Sequence, residues 1–452
     1  MTQQDRDDVS RRKFVATASV AGAFGLAGCM GNDEGTATDG DGGDGGDGTD
    51  GTDSDGGDGG DGGSGNELNV LHGWTGSDGS RAAEALVSTF EEKHPDVPMN
   101  VEPIGGGGNQ NLDTVVANRL QAGNPPSAFA NWPGPNLQKY EGVLGDVGDV
   151  WEENDFADVH IEEAESLHQM GGTFRAVPLG SHQLNCLFYN VSVVEEAGVD
   201  PDSLTDVSSL LSALETVGSE TDAVPMTQAM SGTWTITQLW AQVMLGQEGY
   251  QPYMDFIEGN GSESAVRSSF ETVAEIHENH ISDDASSLNL TTSMENIVNG
   301  DAAFIHQGNW AAGAFRGAED FEYDSEWGYV PFPGTGNMYT LHFDSMLYPS
   351  DNPSPENSKT WMAYVGSEDA QIAYNQYKGS IPTRTDVSMD AFGPYLQEAA
   401  EQFANAEHRP PTLQHGLAVP ASTMTSLNDV ISQNFTGPYD VDGATSGFMD
   451  AV

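Results

Sequence analysis

Basic side chains are scarce in this chain. Lys and Arg account for 15 of 452 residues against 70 Asp and Glu, a formal charge of −55. That charge repels phosphate backbones and anionic headgroups, so nucleic acid is set aside as a partner and a membrane must be reached by other means. Cysteine is almost absent, with only Cys29 and Cys186 present. No disulfide framework and no cysteine metal cluster can be built from two. Cys186, inside "LNCLFY", reads as a small buried apolar residue. The chain has no HExxH pair and no GxSxG elbow. Its glycine run Gly105–Gly108 lacks the lysine of a phosphate-binding loop and the GxGxxG order. No catalytic residue, metal or cofactor is expected. The "HENH" pair, His277 and His280, reads as a solvated helix face.

The acid that is present is spread along the chain. Residues 33–66 hold eleven Asp or Glu, leaving 59 of the 70 elsewhere. A folded surface so charged repels itself unless salt screens it, over about 3 Å at 1 M. The composition is that of a protein adapted to concentrated salt, as in a haloarchaeon.

The N-terminus reads as an address. Arg11 and Arg12 precede an apolar run from Phe14 to Leu26, too short and too rich in Ala and Gly to span a membrane, and "LAGC" follows. The pattern resembles a twin-arginine export signal over 1–29, ending in a lipobox whose Cys29 carries lipid. Residues 30–66, dominated by Asp and Gly, cannot bury a core and read as a flexible, disordered tether. Lipid, tether and folded domain in that order place the protein on the extracellular face of the membrane.

From residue 67 onward, strand and helix patterns alternate. "ELNVLHGW", "VPMNVEPI" and "SAFANW" read as strands, with helices over "SRAAEALVSTFEEKH" and the residues after "GGGG". This alternation predicts an α/β fold with mainly parallel sheets, whose ligands bind at the carboxyl ends of strands. Trp74 and Trp132 fall there. Residues 204–323 and 358–452 read as mainly helical, with extended segments between, so the chain crosses between two lobes more than once.

Several tryptophans stand beside Gly, Asn or Pro: "HGW", "ANWPG", "GTWTITQLW" and "QGNWAAG". Aromatic plates with a few charged hydrogen-bonding groups suit the apolar faces and hydroxyl rims of sugars. Trp151, Trp240, Trp327 and Trp361 read as core. Lys378, one of only five lysines, stands in "YKGSIPTR" and is either a solvated charge or a donor aimed into a pocket.

The export signal, "YNVSVVEEAGVDP", "GDAAFIHQGNWA" and "GSEDAQIAYNQYKGSIPTR" together resemble the extracellular solute-binding proteins of sugar ABC importers. "QGNWAAG", "FDS", "KGSIPTR" and "QHGLAVP" are most similar to the glucose/galactose-binding branch. The resemblance implies a two-lobed, type II periplasmic-binding-protein-like fold with a hinge. It places 67–183 and 328–377 in the N-lobe, and 184–327 and 378–452 in the C-lobe. It implies one hexose in the cleft, passed to the transmembrane subunits of an ABC permease, by a monomer that does no chemistry. By motif, Trp74 would stack on the sugar and Asp78 accept hydroxyls. Gly107 and Gly108 would approach through backbone, and His182 and Trp234 would line the far lobe. Asp344, Lys378 and His415 would form a polar ring in which Lys378 pairs with Asp344. The branch has paired tryptophans where this chain has Gly73 and Trp74, and a glutamate where it has Asp78. It has glutamine and histidine where this chain has Ala130 and Trp132, so Trp132 joins the expected site as added aromatic surface. A receptor for another sugar or an oligosaccharide, and a secreted carbohydrate-active enzyme, are the alternatives.

Overall fold

The structure is a computed structural model that describes residues 66–452. The expected signal peptide, Cys29 and the tether up to residue 65 lie outside the described residues. Among the described residues there are eleven strands: β1 Leu68–His72, β2 Met99–Pro103, β3 Ala128–Asn131, β4 Gln169–Met170, β5 Thr173–Phe174, β6 Ala176–Gln183, β7 Cys186–Asn190, β8 Val224–Met226, β9 Ala302–Gln307, β10 Trp327–Pro331 and β11 Leu341–Leu347. They form a five-stranded sheet ordered β2-β1-β3-β11-β6, a four-stranded sheet ordered β10-β7-β9-β8, and the small β4–β5 pair.

In each large sheet one strand runs against the rest. β11 is antiparallel to β3 and β6, and β7 is antiparallel to β10 and β9, whereas β1–β2, β1–β3 and β8–β9 pair in parallel. The reason lies in the connections. β6 feeds β7 through Leu184 and Asn185 alone, and β11 brings the chain back from β10. A strand that enters from the other sheet arrives at the end its new neighbours leave from. The strand at Trp327–Pro331, expected from residue 328 with the first lobe, is hydrogen-bonded to β7 and so sits in the second sheet.

Helices cover the sheets where the sequence has a 3.6-residue apolar period. Helix Ser80–Lys93 buries Ala82, Ala83, Leu86 and Phe90 and packs beside helix Glu368–Lys378 over the first sheet. Its core includes Phe129, Trp151 and Trp361. A second core around Leu239, Trp240, Phe270 and Phe448 lies under the helices that follow β8. Trp327 packs with Phe188 and Phe315 in a third. The four tryptophans expected in the core are there. Cys186 is fully buried, and burial pushes its thiol well above the ordinary range. His277 departs from expectation: it is buried against Tyr439 and Phe435, and burial lowers its pKa to about 3. Among the described residues no helix is long and apolar enough to cross a membrane.

Candidate functional site

The cavity forms where the loops after β1, β2 and β3 face the start of helix Trp234–Glu248 and the residues after β9. Its volume is about 430 Å3, within the usual range for small-molecule sites. Nine of the ten residues expected at the ligand line it: Trp74, Asp78, Gly108, Trp132, His182, Trp234, Asp344, Lys378 and His415. Gly107, the tenth, opens the short 3-10 turn Gly107–Asn109 that carries Gly108 to the wall. Gly108 has φ 62°, a left-handed conformation that glycine adopts without strain.

Local sequence explains the placement of Lys378. Helix Glu368–Lys378 ends at Gly379, whose φ of 95° closes the helix in the left-handed region. Lys378 is therefore its last residue, where a cation suits the helix dipole. Tyr374, four residues earlier, faces the same way. Each side chain holds one carboxylate. Lys378 Nζ donates to Asp78 Oδ2 at 2.8 Å, and the Tyr374 hydroxyl donates to Asp344 Oδ2 at 2.6 Å.

This corrects the expected pairing of Lys378 with Asp344. Asp344 is already taken, since its Oδ2 also receives His182 Nε2 at 2.9 Å. Lys378 instead reaches the loop after β1, with its side chain 5 % exposed and that of Asp78 19 % exposed. Burial by itself would raise the Asp344 pKa. His182, through charge and hydrogen bond, together with Lys378 and His342, holds it well below the usual carboxylate range. His182 is fixed from its other side by Asn309 Oδ1, 2.6 Å from Nδ1.

Aromatic rings make the rest of the wall. Trp74 stacks on His72 at 5.4 Å and leans on Tyr374 at 4.9 Å. Trp132 meets His415 edge-on at 4.6 Å, and Trp234 and Trp310 close around the same imidazole at 5.7 and 5.3 Å. His415 sits at φ 76°, unusual for a side-chain-bearing residue. Its Nε2 faces Gln238 Oε1 at 3.2 Å. The Gln238 amide faces Gln307 Oε1, which also accepts from Trp310 Nε1. This chain of bonds fixes the tautomer: Nε2 carries the proton, and Nδ1 is an acceptor without a protein partner. Burial keeps His415 neutral by lowering its pKa to about 3, and burial, with His415 and His182 beside it, lowers that of His342 well below the ordinary imidazole range. The pocket thus offers both donors and acceptors between apolar plates. Among the described residues no cluster of His, Cys, Asp and Glu could hold a metal.

Sequence reasoning did not assign Trp310, His342, Asn109 or the segment Asn289–Thr292 to the site, yet all line the cavity. Trp310 stands inside a motif already singled out, "QGNWAAG", and His342 immediately precedes another, "FDS". Asn289–Thr292 carries no such signal and arrives only through the packing of helix Leu290–Val298, capped by Asn289.

Residues 85–406 match the family model of bacterial extracellular solute-binding proteins. The xylose/arabinose-binding protein XacG of Haloferax volcanii is 43 % identical over 457 residues, covering 100 % of both chains. An uncharacterised ABC transporter extracellular-binding protein of Pyrococcus horikoshii is 28 % identical, over 82 % of this chain and 84 % of its own. Among solved structures, the bacterial solute receptor AcbH superposes with a TM-score of 0.74 at 15 % identity, over 85 % of this chain and 97 % of its own. The fold is the two-lobed binding-protein fold, and the class is that of receptors, not enzymes. The chain belongs to the family of bacterial extracellular solute-binding proteins.

Proposed function

We propose that the chain is the sugar-capturing receptor of an ABC importer, and that one aldopentose, xylose or arabinose, occupies the cavity described above. The observation that carries the reading is the cavity wall itself: Trp74, Trp132, Trp234 and Trp310 line it together with the Asp78–Lys378 and Asp344–His182 pairs. Indole faces suit the C–H faces of a pyranose, and the fixed charges suit its hydroxyl rim. The preference for a five-carbon sugar is supported by the XacG relative, whose likeness spans the whole chain. The motif resemblance alone had favoured a hexose.

In this reading Asp78 and Asp344 accept hydrogen bonds from sugar hydroxyls and Lys378 donates to one. The lobes 67–183 with 332–377 and 184–331 with 378–452 close on the ligand, and the closed form is recognised by the permease in the membrane. Lipid on Cys29, after twin-arginine export, moors the receptor as a monomer in high salt. Isothermal titration in molar salt against xylose, arabinose, glucose and galactose tests the specificity. Saturable one-to-one binding with a pentose preferred at least tenfold is expected. A hexose preferred by that margin overturns the pentose reading, and no binding by any sugar overturns the receptor reading.

A further inference from the structure

Among residues 66–452 there are eleven Lys and Arg side chains, and eight lie within ion-pair distance of a carboxylate. Arg81 and Arg316 are two of the three that do not, and they are neighbours. Arg81 Nη2 donates to Gly313 O at 2.7 Å. Its guanidinium lies so close to Gly317 that a Cβ there would strike it. It therefore runs along the backbone on both sides of Arg316. Arg316 Nη1 is buried without a partner. The charged and phenolic groups acting on Arg316 are Tyr395, Arg81 and Tyr377, with no carboxylate among them. Tyr377, beneath the Arg81 guanidinium at 5.6 Å, is the single large hydrophobic residue that is exposed among the described residues.

Two guanidinium groups side by side repel each other, and partial burial adds a desolvation cost. In a chain with 70 acidic residues the absence of a carboxylate between them stands out. Arg81 belongs to the first turn of helix Ser80–Lys93, whose positive pole favours an anion. Arg316 ends helix Ala311–Phe315, after β9 of the second sheet. The pair thus joins elements of both sheets, and an anion held by both would tie those elements together. Arg and Tyr are also the residue types that dominate binding energy at interfaces.

We infer that Arg81, Arg316 and Tyr377 form a docking site for a carboxylate side chain displayed by the receptor's membrane partner. The guanidinium N–H groups other than Arg81 Nη2, held by Gly313 O, and the buried Arg316 Nη1 are left to bind a carboxylate, and the Tyr377 ring supplies the apolar contact beside them. Charge complementarity selects an acidic residue, and the position of the pair across elements of both sheets makes contact depend on their mutual arrangement. The proposal rests on the receptor reading above.

The test uses the full chain expressed in cells from which its own gene is deleted. Arg81→Gln/Arg316→Gln and, separately, Tyr377→Ala are compared with wild type for uptake of labelled sugar. The purified variants are titrated with the same sugar in molar salt. The proposal expects uptake to fall at least tenfold in the double variant and several-fold in Tyr377→Ala, with the sugar Kd within twofold of wild type. Unchanged uptake overturns it. A Kd that weakens in step with uptake also overturns it, because the pair would then support the cleft. A wild-type chain that binds no sugar is a separate failure, that of the receptor reading.

Discussion

Replacing Lys378 by Met removes the ammonium and keeps most of the stem. The structure shows what is lost. The Nζ–Oδ2 bond to Asp78 disappears, and the Asp78 carboxylate is left in the cleft with its side chain 19 % exposed. Removing one partner of a fully buried pair costs about 3–5 kcal/mol. Asp78 keeps some water and is left unpaired in the empty cleft as well, so only about 0.5–1 kcal/mol of this is expected on binding, and the lost charge-assisted bond from Lys378 to the sugar adds about 1.5–3 kcal/mol. Sugar affinity should fall by about 2–4 kcal/mol, on the order of 30- to 1000-fold. Asp78→Asn with Lys378→Met removes both charges. If the pair acts as a unit, the double variant loses much less than the sum of the two single losses. Isothermal titration of the four proteins, with circular dichroism as the folding control, reads the cycle. Wild-type affinity in Lys378→Met, or additive losses, refutes the reasoning and makes Lys378 a helix-terminal charge only.

Four further outcomes are expected. Gly313→Ala brings a Cβ to 2.5–2.9 Å from the carbonyl oxygens of Lys378, Asp78 and Tyr377, so chemical denaturation should show a loss of at least about 2 kcal/mol. Buried His160, His277 and His415 have pKa values lowered to about 3 and His306 to about 4 by burial. Their stabilising neutrality is complete above the unfolded value near 6.5 and drains as pH falls toward the folded values, at most about 2 kcal/mol each by pH 5. A melting temperature in molar salt that is unchanged between pH 7 and pH 5 would contradict this. Stability should also fall below about 0.5 M salt as screening lengthens, and a melting curve flat from molar to millimolar salt would count against the halophilic reading. Cys29→Ser should release the protein or leave its precursor uncleaved, as membrane fractionation will show.

Much of this molecule is legible in its sequence where local chemistry and period agree. β1, β2 and β3 and the helix Ser80–Lys93 lie where the alternation put them. The "KGS" motif marks a helix terminus as well as a pocket residue. β8 and β9 escape notice inside the helical stretch 204–323 for opposite reasons. Val224–Met226 is too short to show a period, and Ala302–Gln307 is buried throughout, so it shows no alternation. His277 looks solvated beside Glu278 and Asn279, and only the packing of Phe435 and Tyr439, far along the chain, buries it. The expected pairing of Lys378 was with Asp344 alone, and that Tyr374 and His182 already hold Asp344 while Asp78 reaches Lys378 is a fact of tertiary structure.

The central claim is that a free sugar binds reversibly in the Trp- and Asp-lined cavity and leaves chemically unchanged. Equilibrium dialysis of the purified chain in molar salt against labelled xylose, with chromatography of the sugar afterwards, measures both parts at once. The account predicts one sugar per chain, fully recovered as xylose, and loss of retention in Asp344→Ala. Conversion of the sugar to another product, or equal retention by Asp344→Ala, would contradict it.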